Sequence, residues 1–363
     1  MNILVFTASD SSFNSLRPEA EIFIELVKRG HKVTIITHAD TEYGKRYAEH
    51  GITVIGGAPK KKICRDSIAL VKSQLAKQSY DILFATNSKS IPNAAFAAKG
   101  SKVKLVTYRG TAGGLYRHDP SAYLTHLHPR VNGIICVSEA VRQDVIKRVW
   151  KNKQNVVAIH KGHNLDWYEQ PPSDLSEFDI GADDFTVICA VNARPSKGLS
   201  VMLEAANSLA NISNLHLLLV GKNIDKAPYA EQIANNDMRD RIHLTGYRHD
   251  APQLIAASNV LVQPSVSGEG LPRAMMEAMS CGVPPVITDT GGGKEIVDDG
   301  VTGFIVSVND ADAVADRVRK LYSDPELVAA MSVRCKEKIK NYVSLDKTVD
   351  QFVDYFRKLI SQA

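Results

Sequence analysis

The strongest constraint on the fold is the alternation of short, apolar, β-rich runs with helical stretches along all 363 residues. We count thirteen such runs, from NILVFTA at residues 2–8 to GFIV at residues 303–306. Continuous apolar strands that alternate with helices are typical of parallel sheets covered on both faces. Because this is too many strands for one small sheet, the sequence predicts two doubly wound α/β domains. A (β/α)8 barrel is the alternative.

The domain boundary is predicted from a polar segment at residues 163–185, which contains Pro171-Pro172 and lacks the periodicity of a core helix. We interpret this segment as a linker, with a first domain over residues 1–165 and a second over residues 166–345. Apolar residues at helical spacing predict a final helix over residues 346–363, with one face formed by Val349, Phe352, Val353, Phe356, Leu359 and Ile360.

Composition excludes several classes of protein. Hydrophobic residues make up 44% of the chain and charged residues 23%, which is ordinary for a globular protein and wrong for a disordered or fibrous one. No apolar run approaches the ~18 residues that span a bilayer, and the first residues read as a buried strand rather than a signal peptide. Five scattered cysteines predict reduced thiols and a cytoplasmic location.

Cofactor and metal motifs are absent from the sequence. The first strand runs into SDSSFNSLRPE without the G-x-G-x-x-G fingerprint, and Gly221-Lys222 lacks the remainder of a P-loop. His126 and His128 have no further ligand cluster near them in sequence, and there is no Cys-x-x-Cys pair. Asp310, in a D-x-D at the start of a helical run, is predicted to cap that helix. We therefore predict no cofactor and no metal.

Residues 259–306 carry the most information about function. A strand ends at Pro264-Ser265, a glycine-bearing loop follows, and a helix is predicted from Pro272, since proline suits the first helical position. The backbone N–H groups of Gly270, Leu271 and Arg273 are then expected to point out of the helix end. A helix N-terminus of this kind can bind a phosphate group.

Two glutamates, Glu269 and Glu277, flank the start of this helix. Eight residues at ~1.5 Å per residue separate the two carboxylates by roughly 10 Å, about the reach from the sugar to the ribose of a nucleotide sugar. A carboxylate accepts two hydroxyl hydrogen bonds, which suits both ends of such a ligand. On spacing alone, a simpler interpretation is favoured, in which Glu269 caps the helix and Glu277 is solvated.

The same segment resembles the signature of the family-4 retaining glycosyltransferases, an E-x7-E pattern followed by a glycine-rich stretch. The matching positions are Glu269, Glu277, Ala278, Met279, Gly282, Pro284, Gly291, Gly292, Glu295, Ile296, Val297, Asp299, Gly300, Thr302 and Gly303. The resemblance implies the GT-B fold, in which two doubly wound Rossmann-like domains face each other across a cleft and a C-terminal helix crosses back to the first domain.

The resemblance also implies an activity. It implies retaining transfer of a sugar from a UDP-, GDP- or ADP-sugar to a hydroxyl of a glycan or lipid-linked acceptor, without a metal, in cell-surface polysaccharide or glycolipid synthesis. By the same resemblance, Glu277 holds the ribose hydroxyls and Glu269 lies against the donor sugar. Arg194 and Lys197 correspond to the basic pair on the diphosphate, and the loop that carries them follows a strand, where doubly wound sheets bind ligands.

The first domain matches the family pattern less well. Tyr108-Arg109-Gly110 stands where family members often carry a histidine, and His118 follows further on. Arg109 and His118 are therefore the acceptor-side candidates. Two alternatives stay open: another enzyme with the same fold, such as a sugar-phosphate synthase, and a nucleotide-sugar-binding protein without turnover.

Charge is distributed unevenly between the two halves. Residues 1–165 hold 25 Lys and Arg against 12 Asp and Glu, whereas residues 166–363 hold 19 against 28. The basic residues of the first half include Lys60, Lys61, Lys62 and Arg65. This asymmetry predicts that the first domain makes reversible, electrostatic contact with an anionic membrane surface or an anionic glycan. The alternative is a soluble acceptor, and no nucleic-acid partner is predicted.

Overall fold

The computed structural model describes residues 1–362, which divide into two compact units. Unit 1 comprises residues 1–162 together with residues 345–362, and unit 2 comprises residues 163–344. Each unit contains one parallel β-sheet with helices packed on it.

The described residues form thirteen strands, one for each apolar run. These are β1 (Asn2–Phe6), β2 (Lys32–Thr37), β3 (Thr53–Gly56), β4 (Ile82–Ala85), β5 (Lys104–Arg109), β6 (Val131–Cys136), β7 (Val156–Ala158), β8 (Phe185–Ala190), β9 (Leu215–Val220), β10 (Ile242–Gly246), β11 (Val260–Gln263), β12 (Pro285–Thr288) and β13 (Phe304–Val306).

Helices connect most of these strands. They are α1 (Phe13–Lys28), α2 (Glu42–Glu49), α3 (Arg65–Lys77), α4 (Ser90–Ala97), α5 (Glu139–Arg148), α6 (Leu199–Leu209), α7 (Tyr229–Ala234), α8 (Ala251–Ala256), α9 (Arg273–Cys281), α10 (Ala311–Ser323), α11 (Pro325–Tyr342) and α12 (Leu345–Ser361).

The two sheets share one topology. The strand order is β3-β2-β1-β4-β5-β6-β7 in unit 1 and β10-β9-β8-β11-β12-β13 in unit 2, and neighbouring strands run parallel. Both orders are doubly wound, with a switch point where the strand order reverses, between β1 and β4 and between β8 and β11. The predicted pair of doubly wound sheets is confirmed, and the barrel alternative is excluded.

Burial on both faces explains why the strand sequences are continuously apolar. In unit 2, Val187 and Cys189 of β8 pack into one core with residues of α6 and α10. Ile188, the residue between them, packs on the opposite face with residues of α8 and α9. Successive side chains of a strand point to opposite faces, so a sheet covered on both sides requires apolar residues at every position.

Helix α12 packs into the core of unit 1. Phe352 and Phe356 lie edge-on to Phe84 of β4, with ring centroids 5.8 and 6.0 Å away. The Tyr355 hydroxyl, which is buried, donates a hydrogen bond to the Asn155 carbonyl at 2.5 Å. The last helix therefore completes the same core as the first strands.

Several local expectations can be compared with the structure. The segment interpreted as a linker belongs to unit 2, and its short 3-10 turn Leu165–Tyr168 lies against α9 and α11. Asp310 caps α10 by accepting a hydrogen bond from the Ala313 N–H at 2.9 Å, as predicted. Within residues 1–362 we find no helix long and apolar enough to cross a bilayer, and no cluster of three metal-ligating side chains.

Truncation of Phe356, which is 1% exposed, should destabilise unit 1. We expect Phe356→Ala to lower the free energy of unfolding by about 3–5 kcal/mol, because it removes an aromatic ring from a closed core. Urea denaturation followed by circular dichroism measures the change. Asp354→Ala, an exposed substitution on the same helix, is the control and should stay within about 0.5 kcal/mol of the wild type. Equal midpoints for both variants would contradict this packing.

Candidate active site

The candidate site lies at the switch point of unit 2, where the loops after β8 and β11 meet. The Val266 N–H donates a hydrogen bond to the Ser196 carbonyl at 2.9 Å, which ties the two loops together. Gly198 has φ +66°, and a Cβ atom there would lie 1.8 Å from the Pro264 carbonyl oxygen. Only glycine allows this close approach of two backbones.

The loop after β12 contacts the loop after β11 from its other side. Gly291 has φ +66°, and a Cβ atom there would lie 1.9 Å from the Glu269 carbonyl oxygen. The Gly292 N–H donates a hydrogen bond to the Gly270 carbonyl at 2.9 Å. The backbone at Glu269 and Gly270 is therefore fixed between loops that follow different strands. The sequence pattern matched these glycines without giving this physical reason.

Lys197 and Glu269, 72 residues apart, form an ion pair at this point. The Glu269 carboxylate is buried, and its Oε1 accepts hydrogen bonds from Lys197 Nζ at 2.5 Å and from Ser265 Oγ at 2.6 Å. Gln263 Nε2 in turn donates to Ser265 Oγ at 2.9 Å. An ammonium group has three N–H donors, so Lys197 keeps donors for a ligand while it binds Glu269.

Ser265 and Gln263 orient the carboxylate and were missed by sequence reasoning. Both stand at the end of an apolar strand, in VLVQPS, where the pattern indicates only that the strand stops. Their one signal is that polar residues follow a buried strand at the edge where doubly wound sheets bind ligands.

Glu277 lies in the middle of α9 and is only 6% exposed. Burial raises the pKa of its carboxyl group to about 7, although the Arg273 guanidinium, 3.3 Å away, acts in the opposite direction. Pro272 occupies the N-cap of α9 without a capping side chain. The simpler interpretation is therefore wrong, because Glu269 binds Lys197 and Ser265 rather than capping the helix, and Glu277 is not solvated.

The remaining candidates of unit 2 lie on the same two loops. Arg194 stands at the start of the 3-10 turn Pro195–Lys197 and has an exposed side chain. Gly270 is buried and Leu271 is half-buried, directly before α9. The structure thus brings the donor-side candidates of the sequence together at the carboxyl ends of β8 and β11.

The acceptor-side candidates lie in unit 1: Arg109 is the last residue of β5, and His118 lies in the segment between β5 and β6. The Arg109 guanidinium donates from Nε to the Thr111 carbonyl at 3.0 Å and also binds the Gly113 carbonyl, so it is engaged by its own loop. Burial lowers the pKa of Arg109, against the effect of Asp144. The His118 ring is exposed and stacks on Tyr116 with centroids 5.2 Å apart. Their role toward an acceptor stays a prediction.

Comparison with known proteins agrees with these features. The family model Glycosyltransferase Family 4 matches residues 20–167, and the model Glycosyl transferases group 1 matches residues 173–341. The N-acetyl-alpha-D-glucosaminyl L-malate synthase of Bacillus anthracis is 26% identical over 92% of this chain and 90% of its own length. The UDP-Gal:alpha-D-GlcNAc-diphosphoundecaprenol alpha-1,3-galactosyltransferase of Escherichia coli is 27% identical over 62% of this chain, which spans 60% of that enzyme.

The crystal structure of Anabaena HepE in complex with UDP superimposes with a TM-score of 0.81 at 21% identity, over 99% of this chain and 100% of the other. Two doubly wound units with this topology define the GT-B fold of glycosyltransferases. The chain belongs to glycosyltransferase family 4, as its E-x7-E segment indicated.

The raised pKa of Glu277 makes stability depend on pH. The carboxyl group titrates near 4.5 in the unfolded chain and at about 7 in the folded protein. The folded state therefore binds this proton more tightly, and the stability it contributes below pH 4.5 is lost as pH rises through 7. Glu277→Gln removes the titration, so the variant should gain about 2–3 kcal/mol relative to the wild type between pH 5 and pH 8.

Urea denaturation at the two pH values measures this difference. Glu204→Gln, an exposed glutamate on α6, is the matched control and should follow the wild type at both. If Glu277→Gln also follows the wild type, the carboxyl group does not titrate as its burial requires.

Proposed function

We propose that this glycosyltransferase is a retaining enzyme that moves a sugar from a UDP-, GDP- or ADP-sugar to a hydroxyl of a glycan or lipid-linked acceptor, without a metal. The observation that carries the proposal is the Lys197–Glu269 pair, 2.5 Å between Nζ and Oε1, at the switch point where α9 presents its uncapped N-terminus. The E. coli relative is named for a UDP-sugar donor, and HepE was solved with UDP.

The donor would be bound along the start of α9. Glu277, one turn inside the helix, would accept both ribose hydroxyls, and these two bonds would favour its ionised form. The diphosphate would lie at the free N–H groups before the helix, around Gly270, Leu271 and Arg273. Glu269, fixed by Ser265, would lie against the donor sugar.

The chemical step would depend on cations near the leaving group. As the sugar–phosphate bond breaks, negative charge develops on the diphosphate, and Lys197 and Arg194 would stabilise that charge in place of a metal. We infer front-face transfer, in which the departing phosphate takes the proton of the acceptor hydroxyl. No side chain is therefore assigned as a general base.

The enzyme would act in the synthesis of a cell-surface polysaccharide or glycolipid. The E. coli relative is named for an acceptor on diphosphoundecaprenol, which favours a lipid-linked acceptor. The B. anthracis relative, matched over 92% of this chain, is named for L-malate, a soluble acceptor. A soluble acceptor is therefore the second candidate, within the same reaction class.

Replacement of Lys197 tests the catalytic assignment. We expect Lys197→Ala to lower kcat on the order of 100-fold or more, because its charge stabilises the leaving group most strongly in the transition state. A thermal-shift screen of UDP-, GDP- and ADP-sugars selects the donor, and its turnover is then measured in chelator. Lys340→Ala, an exposed cation on α11, should keep the wild-type kcat. A variant of Lys197 that keeps kcat and only raises the donor KM would assign Lys197 to binding alone.

Reversible membrane contact is the second part of the proposal. Unit 1 carries a net charge of +13, and Lys60, Lys61, Lys62 and Arg65 are exposed around Ile63, which is 51% exposed. Lys104 is instead engaged, since its Nζ donates to the Gln362 carbonyl at 2.5 Å. Each cation near an anionic surface contributes about 1 kcal/mol, so this loop would hold the enzyme at a cytoplasmic membrane face as a peripheral protein.

Vesicle sedimentation at low and high salt measures this contact. We expect binding to anionic but not neutral vesicles, lost at high salt because ions screen the attraction. Reversal of Lys60, Lys61 and Lys62 to Glu should weaken binding on the order of tenfold or more. Reversal of the exposed unit 2 lysines Lys320, Lys336 and Lys340 changes net charge equally and is the control. Equal loss in both variants would show that net charge, and not this loop, is responsible.

A further inference from the structure

Unit 1 has a switch point of its own, between β1 and β4, in the same position within its sheet as the site of unit 2. Ligands of doubly wound sheets bind outside the carboxyl ends of the strands at such a point. In unit 2 this place holds a lysine–glutamate ion pair. The groups at the corresponding place in unit 1 are therefore candidates for binding the second substrate.

A lysine–glutamate pair is found there too. Lys161 Nζ lies 2.7 Å from Glu19 Oε2, across 142 residues of sequence. Thr7, directly after β1, donates from Oγ1 to Glu19 Oε1 at 3.3 Å and lies 2.6 Å from the Thr86 hydroxyl, directly after β4. The Lys161 ammonium also lies 4.2 Å from the ring centre of Tyr108, on β5. The pair thus lies among the ends of the central strands.

Lys161 is a cation despite its burial. Burial alone lowers the pKa of this ammonium, but the Glu19 carboxylate and Tyr108 more than offset it, and the net shift is upward. The side chains of Lys161 and Glu19 remain 23% and 16% exposed, so both reach solvent. Together they present a hydrogen-bond donor and an acceptor with no net charge.

A cavity of about 210 Å³ lies beside the loop after β1, beginning at Ser9, two residues after Thr7. The residues that line it include Ser9, Asp10, Ser11, Thr41 and Glu42, which carry hydroxyl or carboxylate groups. Ser9 Oγ lies 2.7 Å from the Thr37 hydroxyl and 3.2 Å from that of Thr41. Within residues 1–362 neither carboxylate has an ion-pair partner, although unit 1 has a large excess of cations.

Two aromatic residues also form part of the cavity wall. Tyr43 forms part of its wall and is 1% exposed, yet its hydroxyl has no hydrogen-bond partner. A buried polar atom without a partner is costly. Phe13, which also lines the cavity, stacks on the Tyr43 ring with centroids 4.6 Å apart. Hydroxyls, carboxylates and aromatic rings are groups that suit a polyhydroxylated ligand.

We propose that the Glu19–Lys161 pair, at the β1/β4 switch point of unit 1, makes this glycosyltransferase select an uncharged sugar acceptor over a carboxylate-bearing one. An acceptor hydroxyl can donate to Glu19 and accept from Lys161 at once. A carboxylate would find Lys161 already neutralised and would meet Glu19, Asp10 and Glu42 as like charges. This inference rests on the proposed glycosyltransferase function and assigns the class of its acceptor.

The competing explanation is that the pair only anchors α1 to the segment after β7. The chain provides a matched control in Glu21, two positions further along α1. Glu21 is buried and lies 2.9 Å from Arg46, so it forms an ion pair of the same kind away from the strand ends. Loss of either pair should affect stability, whereas only loss of the Glu19–Lys161 pair should affect acceptor choice.

The experiment compares p-nitrophenyl hexosides with the matching hexuronides, at saturating donor. We expect the wild type to prefer the hexoside in kcat/KM. Glu19→Gln should lower this preference about tenfold, mostly through the acceptor KM, because Lys161 is then an uncompensated cation. Lys161→Met should raise the preference, because Glu19 is then an uncompensated anion. Structural damage cannot move the ratio in opposite directions, and Glu21→Gln should leave it unchanged.

An unchanged ratio in both Glu19→Gln and Lys161→Met, or a wild-type preference for the hexuronide, would overturn the inference. If either variant fails to fold, Asp10→Asn, an exposed change at the cavity, should lower the preference about threefold, and Asp66→Asn on α3 is its control.

Calorimetric binding of the nucleoside diphosphate and donor hydrolysis without acceptor report on unit 2 alone. Their absence in the wild type would refute the proposed function, whereas their presence with unchanged ratios refutes only this inference.

Discussion

The structure of the candidate site depends on a short ion pair between Lys197 and the buried carboxylate of Glu269. A buried carboxylate without a partner is unfavourable, so the loops after β8 and β11 must come together for either residue to be accommodated. Gly198 and Gly291 make this approach sterically feasible, because any Cβ atom at these positions would overlap a backbone carbonyl. The ion pair requires the loops to approach each other, and the glycines allow that approach. Together they fix the loop that precedes the N-terminus of α9.

The two units share one topology but differ in net charge. Unit 1 has a net charge of +13 and unit 2 of −9, yet each has a lysine–glutamate pair at its switch point. Net charge acts over a Debye length and governs encounter with large charged surfaces. The pairs act over one hydrogen bond, and we propose that they determine which group of a substrate is bound. A basic surface and an ion pair without net charge at the switch point are therefore compatible within unit 1.

The sequence was sufficient to predict the strands and the two glutamates of the candidate site. All thirteen strands could be predicted because burial on both faces leaves a continuous apolar run, and Glu269 and Glu277 stand in a motif of fixed spacing. Gln263 and Ser265 could not be predicted, because the pattern at the end of β11 indicates only that the strand stops. The Glu19–Lys161 pair could not be predicted, because a contact between residues 142 positions apart leaves no period in the sequence. Composition also does not report that the turn Leu165–Tyr168, within the segment interpreted as a linker, packs on α9 and α11 of unit 2 through tertiary contacts.

Helix α12 has a consequence for how the chain reaches this structure during synthesis. Unit 1 is discontinuous, and Phe84 on β4 is covered by Phe352 and Phe356, which leave the ribosome about 270 residues later. Unit 2, in contrast, is one uninterrupted segment. The second unit in the sequence can therefore complete its core before the first. Throughout that interval, the nascent N-terminal sheet presents an uncovered aromatic surface, which is the feature that chaperones bind in incompletely folded chains.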